Sequence, residues 1–423
     1  MTKNIDYIDK HDTQGIKFGL DNIFELLKSF DNPHKELKVI HIAGTNGKGS
    51  VGAYLLYILA RAGYKVGRLS SPAVFEENEF AQIMQYKDDY VIENIPLEYL
   101  QEKTSYLKQT KLRGIPSGFE VQVAISMLFF KENNSDIEIV ETGMGGSLDA
   151  TNIFETTLCD VITPISMDHM NMLGNTLLEI AMNKYGIITS HGNVVTTEDN
   201  YNISDKDGSL VEKICTEKMS NLFITSQKKE GFVDKCCFNI DNNVFEYKNE
   251  GYRIRQNGQY QIENAILAIN VANVLQGLGY NIEIEALKLG LYDMKIKGRF
   301  DVINKSPLIV ADGAHNVAGV RALLDSIEVY FKDKNVIFVT SVFKDKDYNR
   351  MFEMMASRTK MVIYFDTANP RSLKCKNIDN TKIYKTKNLE EALDIAKNNC
   401  KDDDIIVCAG SLSFMKLLYS INI

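Results

Sequence analysis

A two-domain α/β protein built on mostly parallel sheets is the fold class this sequence predicts, and three observations predict it. Short apolar runs of strand length alternate with helical stretches, the pattern of right-handed βαβ units. The alternation pauses in a segment of strictly alternating apolar and polar residues, then restarts. And the 423 residues exceed what one domain usually holds. Hydrophobic residues make up 44% and charged residues 25% of the chain, values that exclude wholesale disorder. No run approaches the roughly 18 uninterrupted apolar residues of a membrane helix, so no membrane partner is expected. The polar, acidic opening MTKNIDYIDKHD argues against a secretory segment. A net charge of −8 gives no electrostatic reason to expect nucleic acid. The seven cysteines are scattered, and the adjacent Cys236 and Cys237 suit zinc poorly. They read as packing residues in a reducing cytoplasm.

In order along the chain, LKVIHIA (Leu37 to Ala43) reads as a buried strand, followed by a glycine-rich turn and a helix from about Ser50 to Arg61. Lys65 to Leu69 offers a second strand, Gly118 to Phe130 a helix, and Ile137 to Glu141 and Asp160 to Ile165 further strands. FNIDNNVFEYKNEGYRI alternates about an Asp-Asn-Asn turn, predicting a small β-rich subregion over about 232–256. A helix from about Ile262 to Leu278 follows. The short basic linker KIKG (Lys295 to Gly298) marks the boundary between domains at 1–296 and 297–423. Beyond it, strands are predicted at Asp301 to Ala311, Val336 to Thr340, Met361 to Phe365 and Ile405 to Ala409. Helices at Val317 to Phe331 and Leu389 to Asn399 intervene. The second domain is therefore a smaller, Rossmann-like α/β unit.

The strongest local signal is Gly44-Thr45-Asn46-Gly47-Lys48-Gly49-Ser50, between a predicted strand and a predicted helix. Glycines let the backbone approach a polyphosphate with its N–H groups aimed at it. Lys48 neutralises phosphate oxygens, and the Ser50 hydroxyl faces phosphate or Mg²⁺. The glycines are closer together than in the common G-x-x-x-x-G-K-[ST] loop, and Gly49 separates Lys48 from Ser50. ATP or GTP binding on a P-loop-type domain, with helices on both faces of its sheet, is the expectation.

HIAGTNGKGSV (His41 to Val51), with Asn32-Pro33-His34 upstream, resembles the nucleotide loop of the folylpolyglutamate synthase/dihydrofolate synthase branch of the Mur ligase superfamily. Further matches recur in order along nearly the whole chain. Glu141, in ETGMGGSLDATN, ends a predicted strand where open α/β sheets bind ligands, and its hard carboxylate suits Mg²⁺. The resemblance implies Glu141 as a metal ligand, His169 of the D-H motif as a second, and Ser71 of Ser70-Ser71-Pro72 as a third. It also implies that Lys184 is carbamylated, since a free ammonium cannot bind Mg²⁺ whereas a carbamate can hold a second ion. Asn264 in QIENAILA, Arg299 in Gly298-Arg299-Phe300 and Asp312 in Asp312-Gly313-Ala314-His315-Asn316 are implied at ATP. His315 and Ser411, of Gly410-Ser411, are implied at the incoming L-glutamate. Phe343 to Asp347 (FKDKD) resembles a family fold marker, and Glu120 is a shared position beside the site.

These parts imply ATP- and Mg²⁺-dependent ligation of L-glutamate to a folate carboxylate, and to dihydropteroate as a further acceptor, through an acyl phosphate. Closure of the second domain would exclude water from that intermediate. A monomeric cytoplasmic ligase is expected. A Mur-type ligase with another carboxylate acceptor is the alternative, and an ATPase or kinase using the same loop is a second. The chain departs from the family at Ala73, Phe80 and Ser147, where His and two Arg are common. Those losses bear on which folate binds and predict weaker binding of long polyglutamate tails by repulsion.

Overall fold

The computed structural model describes residues 19–225, 236–378, 380 and 383–421. Two compact units divide it: Met1–Ser166, Leu173–Glu230 and Asn264–Asp293 form the first; Met167–Met172, Gly231–Glu263 and Met294–Ile423 form the second.

The first unit carries an eight-stranded sheet. Its strand order is Asn221–Thr225, Asn193–Thr197, Cys159–Ile162, Val39–Ala43, Ile137–Glu141, Val66–Leu69, Ala81–Tyr86 and Tyr90–Asn94. The first six are parallel and the last two antiparallel. The parallel strands are the near-continuous apolar runs expected of a sheet buried on both faces. Val39–Ala43 is buried at every position and sits in the middle. From it the chain first builds toward one edge and then, after Glu141, toward the other. That reversal beside the central strand opens the crevice where doubly wound sheets take ligands.

Two helices of this unit are started by reciprocal caps. In Gly118–Glu132, Ser117 Oγ accepts from Glu120 N and Glu120 Oε2 accepts from Ser117 N. Glu120, expected beside the site, is thus committed to its own helix terminus. In Leu177–Tyr185, Thr176 and Glu179 form the same box, which sets the rotation that turns Lys184 inward.

The second unit holds a six-stranded sheet in the order Asp301–Lys305, Leu308–Ala311, Asp404–Ala409, Asn335–Thr340, Thr359–Phe365 and Ile383–Thr386. All neighbours are parallel except the first pair. The continuous strand expected over Asp301 to Ala311 is therefore a hairpin, broken where Ser306-Pro307 removes a ladder N–H and turns the chain. The alternating segment forms a separate three-stranded sheet, Cys237–Asn239, Asn242–Tyr247 and Glu250–Ile254. Its second turn places Lys248 (φ 52°) and Asn249 (φ 63°) in the left-handed region, as a two-residue type I′ hairpin requires. The Asp-Asn-Asn turn lies one connection earlier, at Ile240 and Asp241.

Glu138 is fully buried in strand Ile137–Glu141, accepting from Lys38 N at 2.8 Å and Ser135 Oγ at 2.7 Å. Burial outweighs those bonds and pushes its carboxyl up to about 7. A raised carboxylate favours the folded state most below its ordinary value near 4.5, and that advantage fades as pH rises through 7. Glu138→Gln is therefore expected to abolish a pH-dependent loss of about 3 kcal/mol between pH 4.5 and 8. Its amide N–H can face the Ser135 hydroxyl, which still donates to Phe130 O. Urea unfolding across that pH range measures the difference, and equal slopes in both proteins would refute it.

Candidate active site

The glycine loop joins strand Val39–Ala43 to helix Lys48–Arg61, which starts two residues before the expected Ser50. Lys48, Gly49 and Ser50 thus occupy the first helical turn, whose N–H groups lack intrahelical partners and can meet an anion. Gly44 (φ 152°) and Gly47 (φ 92°) adopt backbone that side-chain-bearing residues rarely tolerate. A Cβ on Gly44 would lie 1.9 Å from Thr163 Oγ1, and one on Gly47 2.5 Å from Asn264 Oδ1. Only glycine allows this approach. The loop is pinned to the chain leaving the neighbouring strand: Thr45 N and Asn46 N both donate to Pro164 O, and Thr45 Oγ1 pairs with both backbone groups of Ser166.

Two lysines converge on this loop. Lys48 Nζ donates to Gly44 O at 3.0 Å, and Lys184 Nζ donates to the same oxygen at 2.8 Å. Lys184 is 4% exposed. Two ammonium charges on one carbonyl concentrate positive potential where a triphosphate binds in loops of this kind.

Glu141, also buried, takes Arg68 Nη2 at 2.8 Å and Arg68 Nε at 3.2 Å, both on Oε1. Arg68 Nη2 further donates to Gly49 O, tying the carboxylate to the loop. Oε2 lies on the loop side, 3.7 Å from where a Gly49 side chain would begin. No motif announced Arg68. Its partner is 73 residues away, and a strand arginine has no local signature.

Beyond Glu141 the glycine-rich turn is laced together by Asp149. Its carboxylate accepts from Met144 N, Thr151 N and Thr151 Oγ1 at 2.7, 3.0 and 2.6 Å. Burial pushes the Asp149 carboxyl up, against those bonds and the Lys48 charge. Since the Thr151 hydroxyl donates to Asp149, it accepts from His41 Nε2 at 2.9 Å. Burial lowers His41 to about 3, so this ring is neutral with its proton on Nε2. Ser147 bonds Asn183 Oδ1, and Phe80, 3% exposed, belongs to the hydrophobic core. Ala73 is exposed, and Ser71 precedes a cis Pro72.

In the second unit, Asp168 is the hub. Lys346 Nζ donates to its Oδ1 at 2.5 Å and Asn316 Nδ2 to its Oδ2 at 2.9 Å, with His315 Nε2 3.7 Å from Oδ2. Burial would raise Asp168, but Lys346, His169 and His315 hold it well below the usual carboxylate range. His169, at φ 51°, lies 3.3 Å from Lys346 Nζ through Nε2. His315 is lowered to about 4, first by burial and then by the Lys346 charge. As a neutral ring donating from Nδ1 to Gly313 O, it presents Nε2 as an acceptor. Lys346, expected as a mere fold marker, is a buried cation whose partner is 178 residues distant.

Asp312 accepts from Tyr260 OH at 2.6 Å, Phe300 N at 2.9 Å and Ala314 N at 2.8 Å. Burial raises it, with Tyr260 and Arg299 opposing. The Arg299 guanidinium packs so closely on Gly313 that a Cβ there would stand 2.2 Å from Nη1. Ser411 is buried and spends its oxygen capping its own turn, accepting from Ser413 N.

The donor set around Glu141 fits Mg²⁺. Among the described residues no three His, Cys, Asp or Glu gather to hold a metal, but Mg²⁺ needs only one or two protein carboxylates beside substrate phosphates. Glu141 offers one, with Oε2 outside the Arg68 bonds. The unmodified Lys184 side chain donates to Gly44 O.

Arg68→Met is expected to raise the Mg²⁺ concentration for half-maximal turnover by about tenfold, because Glu141 loses the cation that aims it. A metal titration at saturating nucleotide, with a thermal melt as control, reads this. An unchanged Mg²⁺ dependence would show the pair to be only structural.

Comparison with known proteins agrees along the chain. The Mur ligase glutamate ligase domain matches residues 298–412. The dihydrofolate synthase/folylpolyglutamate synthase of Bacillus subtilis is 31% identical over 417 residues, spanning 95% of this chain and 94% of that protein. The folylpolyglutamate synthase of Lacticaseibacillus casei is 27% identical, over 92% and 91%. The crystal structure of the Thermotoga maritima folylpolyglutamate synthase superposes with a TM-score of 0.79 at 27% identity, covering 99% of this chain and 98% of that one. The Mycobacterium tuberculosis enzyme, solved with ADP and AMPPCP, shares the fold at a TM-score of 0.83 and 23% identity, over 99% and 100%. This chain belongs to the folylpolyglutamate synthase/dihydrofolate synthase family of ATP-dependent Mur-type ligases.

Proposed function

We propose that this protein joins L-glutamate to the carboxylate of a folate, and to dihydropteroate, at the expense of ATP. The observation that carries the reading is the glycine loop at the carboxyl end of the central strand, with Lys48, Lys184 and Glu141 brought to it. The named activities of the Bacillus subtilis relative, which combine both acceptors, support the substrate class.

Forming an amide from a carboxylate in water is uphill, so the carboxylate must first be activated. A carboxylate oxygen of the acceptor attacks the γ-phosphorus of ATP, the bond to the β–γ bridging oxygen breaks, and ADP leaves with an acyl phosphate formed. Lys48 and the first-turn N–H groups of Lys48, Gly49 and Ser50, within the loop Gly44 to Ser50 assigned to ATP, stabilise the charge spreading over the transferred phosphoryl group. The α-amine of glutamate then attacks the acyl carbon, losing a proton as phosphate departs. Asn264, Arg299 and Asp312 are assigned to the nucleotide, Arg299 because its always-charged fork suits two phosphate oxygens at once. His315 and Ser411 are assigned to glutamate. An acceptor Nε2 near the Asp168 carboxylate suits an ammonium group. Ser71 and Glu141 would hold Mg²⁺, with His169 assigned by its D-H motif and a carbamylated Lys184 for a second ion. Bound there, Mg²⁺ supplies charge neutralisation at the phosphates. Apart from Arg299 and Asp312, nucleotide handling is assigned to 1–296; glutamate handling is assigned to 297–423, and the protein is assigned as a monomer in the cytoplasm. No helix among the described residues is long and apolar enough to cross a membrane.

Incubation with Mg²⁺, ATP and glutamate, offering dihydropteroate and tetrahydrofolate separately, tests this by product mass. One added glutamyl residue per ADP is the expected result. ADP release that ignores glutamate would make the protein an ATPase instead, and glutamate-dependent turnover with neither acceptor would point to another carboxylate.

A further inference from the structure

A cleft of about 370 Å³ opens in the first unit between helix Asp21–Ser29, the turn Pro33–Glu36 and the segment that follows the Asp149 loop. Its size is at the lower end of small-molecule sites, roughly 300–1,000 Å³. Phe24, Lys28, His34, Lys35, Asn152 and Phe154 define its chemistry. Neither lysine's ammonium group forms an ion pair or hydrogen bond among the described residues, and Glu155 is the one acid of the lining, so the cleft is net cationic.

The second observation is His34. It is 5% exposed, and its Nδ1 has no hydrogen-bond partner. A buried polar atom left unsatisfied costs about 1–3 kcal/mol, and nothing in the described fold recovers that cost. Burial, then the Lys35 charge, lowers the His34 pKa. The ring is thus neutral at pH 7, and in its Nδ1–H tautomer that nitrogen has one hydrogen bond to give. The aromatic walls are held in place: Phe154 stands edge-on to His41 at 5.7 Å between ring centroids, and Phe24 packs against the His34 ring at 6.3 Å. Asn152 is fixed as well, its Nδ2 donating to Ser147 O at 3.0 Å.

We propose that this cleft is a binding site for a small planar aromatic carboxylate, with its ring against Phe24 and Phe154 and its carboxylate on Lys28, Lys35 and His34 Nδ1. Apolar area and stacking hold the ring. The two unpaired ammonium groups select the anion. Nothing in the ligation chemistry uses these residues.

Saturation-transfer NMR and calorimetry on the full chain, with AMPPCP saturating, test the proposal using 2-naphthoate as probe. Its neutral isostere 2-naphthamide and the non-aromatic cyclohexanecarboxylate are the controls. 2-Naphthoate is expected to bind at least tenfold more tightly than either control. Lys28→Glu/Lys35→Glu, both exposed positions, is expected to weaken it at least tenfold without changing ligation. Absence of saturation transfer, equal binding of the amide, or indifference to the double charge reversal would each overturn the site. Displacement of 2-naphthoate by dihydropteroate would overturn it too, by placing the probe in the reaction centre.

Discussion

Lys48→Ala lowers amide formation by on the order of 10³-fold while the protein stays folded; this is the result expected from the loop geometry. The lysine sits in the first turn of helix Lys48–Arg61, and its ammonium lies over the Gly44 carbonyl rather than in the core. Gly44 and Gly47 keep the shape of the loop without it, because Thr163 and Asn264 enforce their backbone positions. In the proposed mechanism, what is lost is positive charge at the transferring phosphoryl group, which matters most in the transition state. Single-turnover ADP formation and a circular-dichroism melt separate chemistry from folding. Near-normal turnover would transfer the role to Lys184, which shares the same carbonyl. Glu141→Ala is expected to abolish ligation as well, but it strands the buried Arg68. Glu141→Gln is therefore the cleaner companion, since it keeps an oxygen for Arg68 while removing the anionic charge.

Lys346→Met should destabilise the second unit by about 3–5 kcal/mol, the cost of leaving a buried carboxylate without its cation. The side chains of Lys346 and Asp168 are 5% and 6% exposed, so water cannot replace the lost partner. Asn316 Nδ2 and the His169 backbone N–H remain as neutral donors to Asp168, and Asn316 also caps helix Val317–Tyr330 by accepting from Gly319 N at 2.7 Å. Adding Asp168→Asn removes the uncompensated charge, so the double variant is expected to recover most of the loss. Urea unfolding of both singles and the double completes the cycle. Additive losses would show that the pair does not couple, and the hub described here would then be wrong.

The elements legible in sequence are those whose information is local. Strand Val39–Ala43, strand Ile137–Glu141 and helix Leu389–Asn399 announce themselves by apolar run length or helical spacing, and the structure reproduces them. The hairpin at Asp301–Ala311 reads as one strand in the sequence because its two halves are equally strand-like, and only Ser306-Pro307 interrupts them. Ala81–Tyr86 and Tyr90–Asn94 carry no clear strand pattern in the sequence because they are an antiparallel extension with mixed exposure. Strands of that kind take their conformation from a neighbour more than from intrinsic preference.

The site divides along the same line. Gly44 to Ser50 is contiguous, so backbone freedom, a cation and a helix start are all visible in seven adjacent letters. Sequence alone therefore determined the strand–glycine loop–helix unit at Gly44 to Ser50, the ligase family and the rhythm of the two sheets. Tertiary structure alone decided that Arg68 grips Glu141, that Lys184 shares the Gly44 carbonyl with Lys48, and that Lys346 neutralises Asp168. The reason is physical. A loop's shape follows from the dihedral preferences of its own residues, whereas a buried charge finds its partner through whichever strands the packed sheet sets side by side.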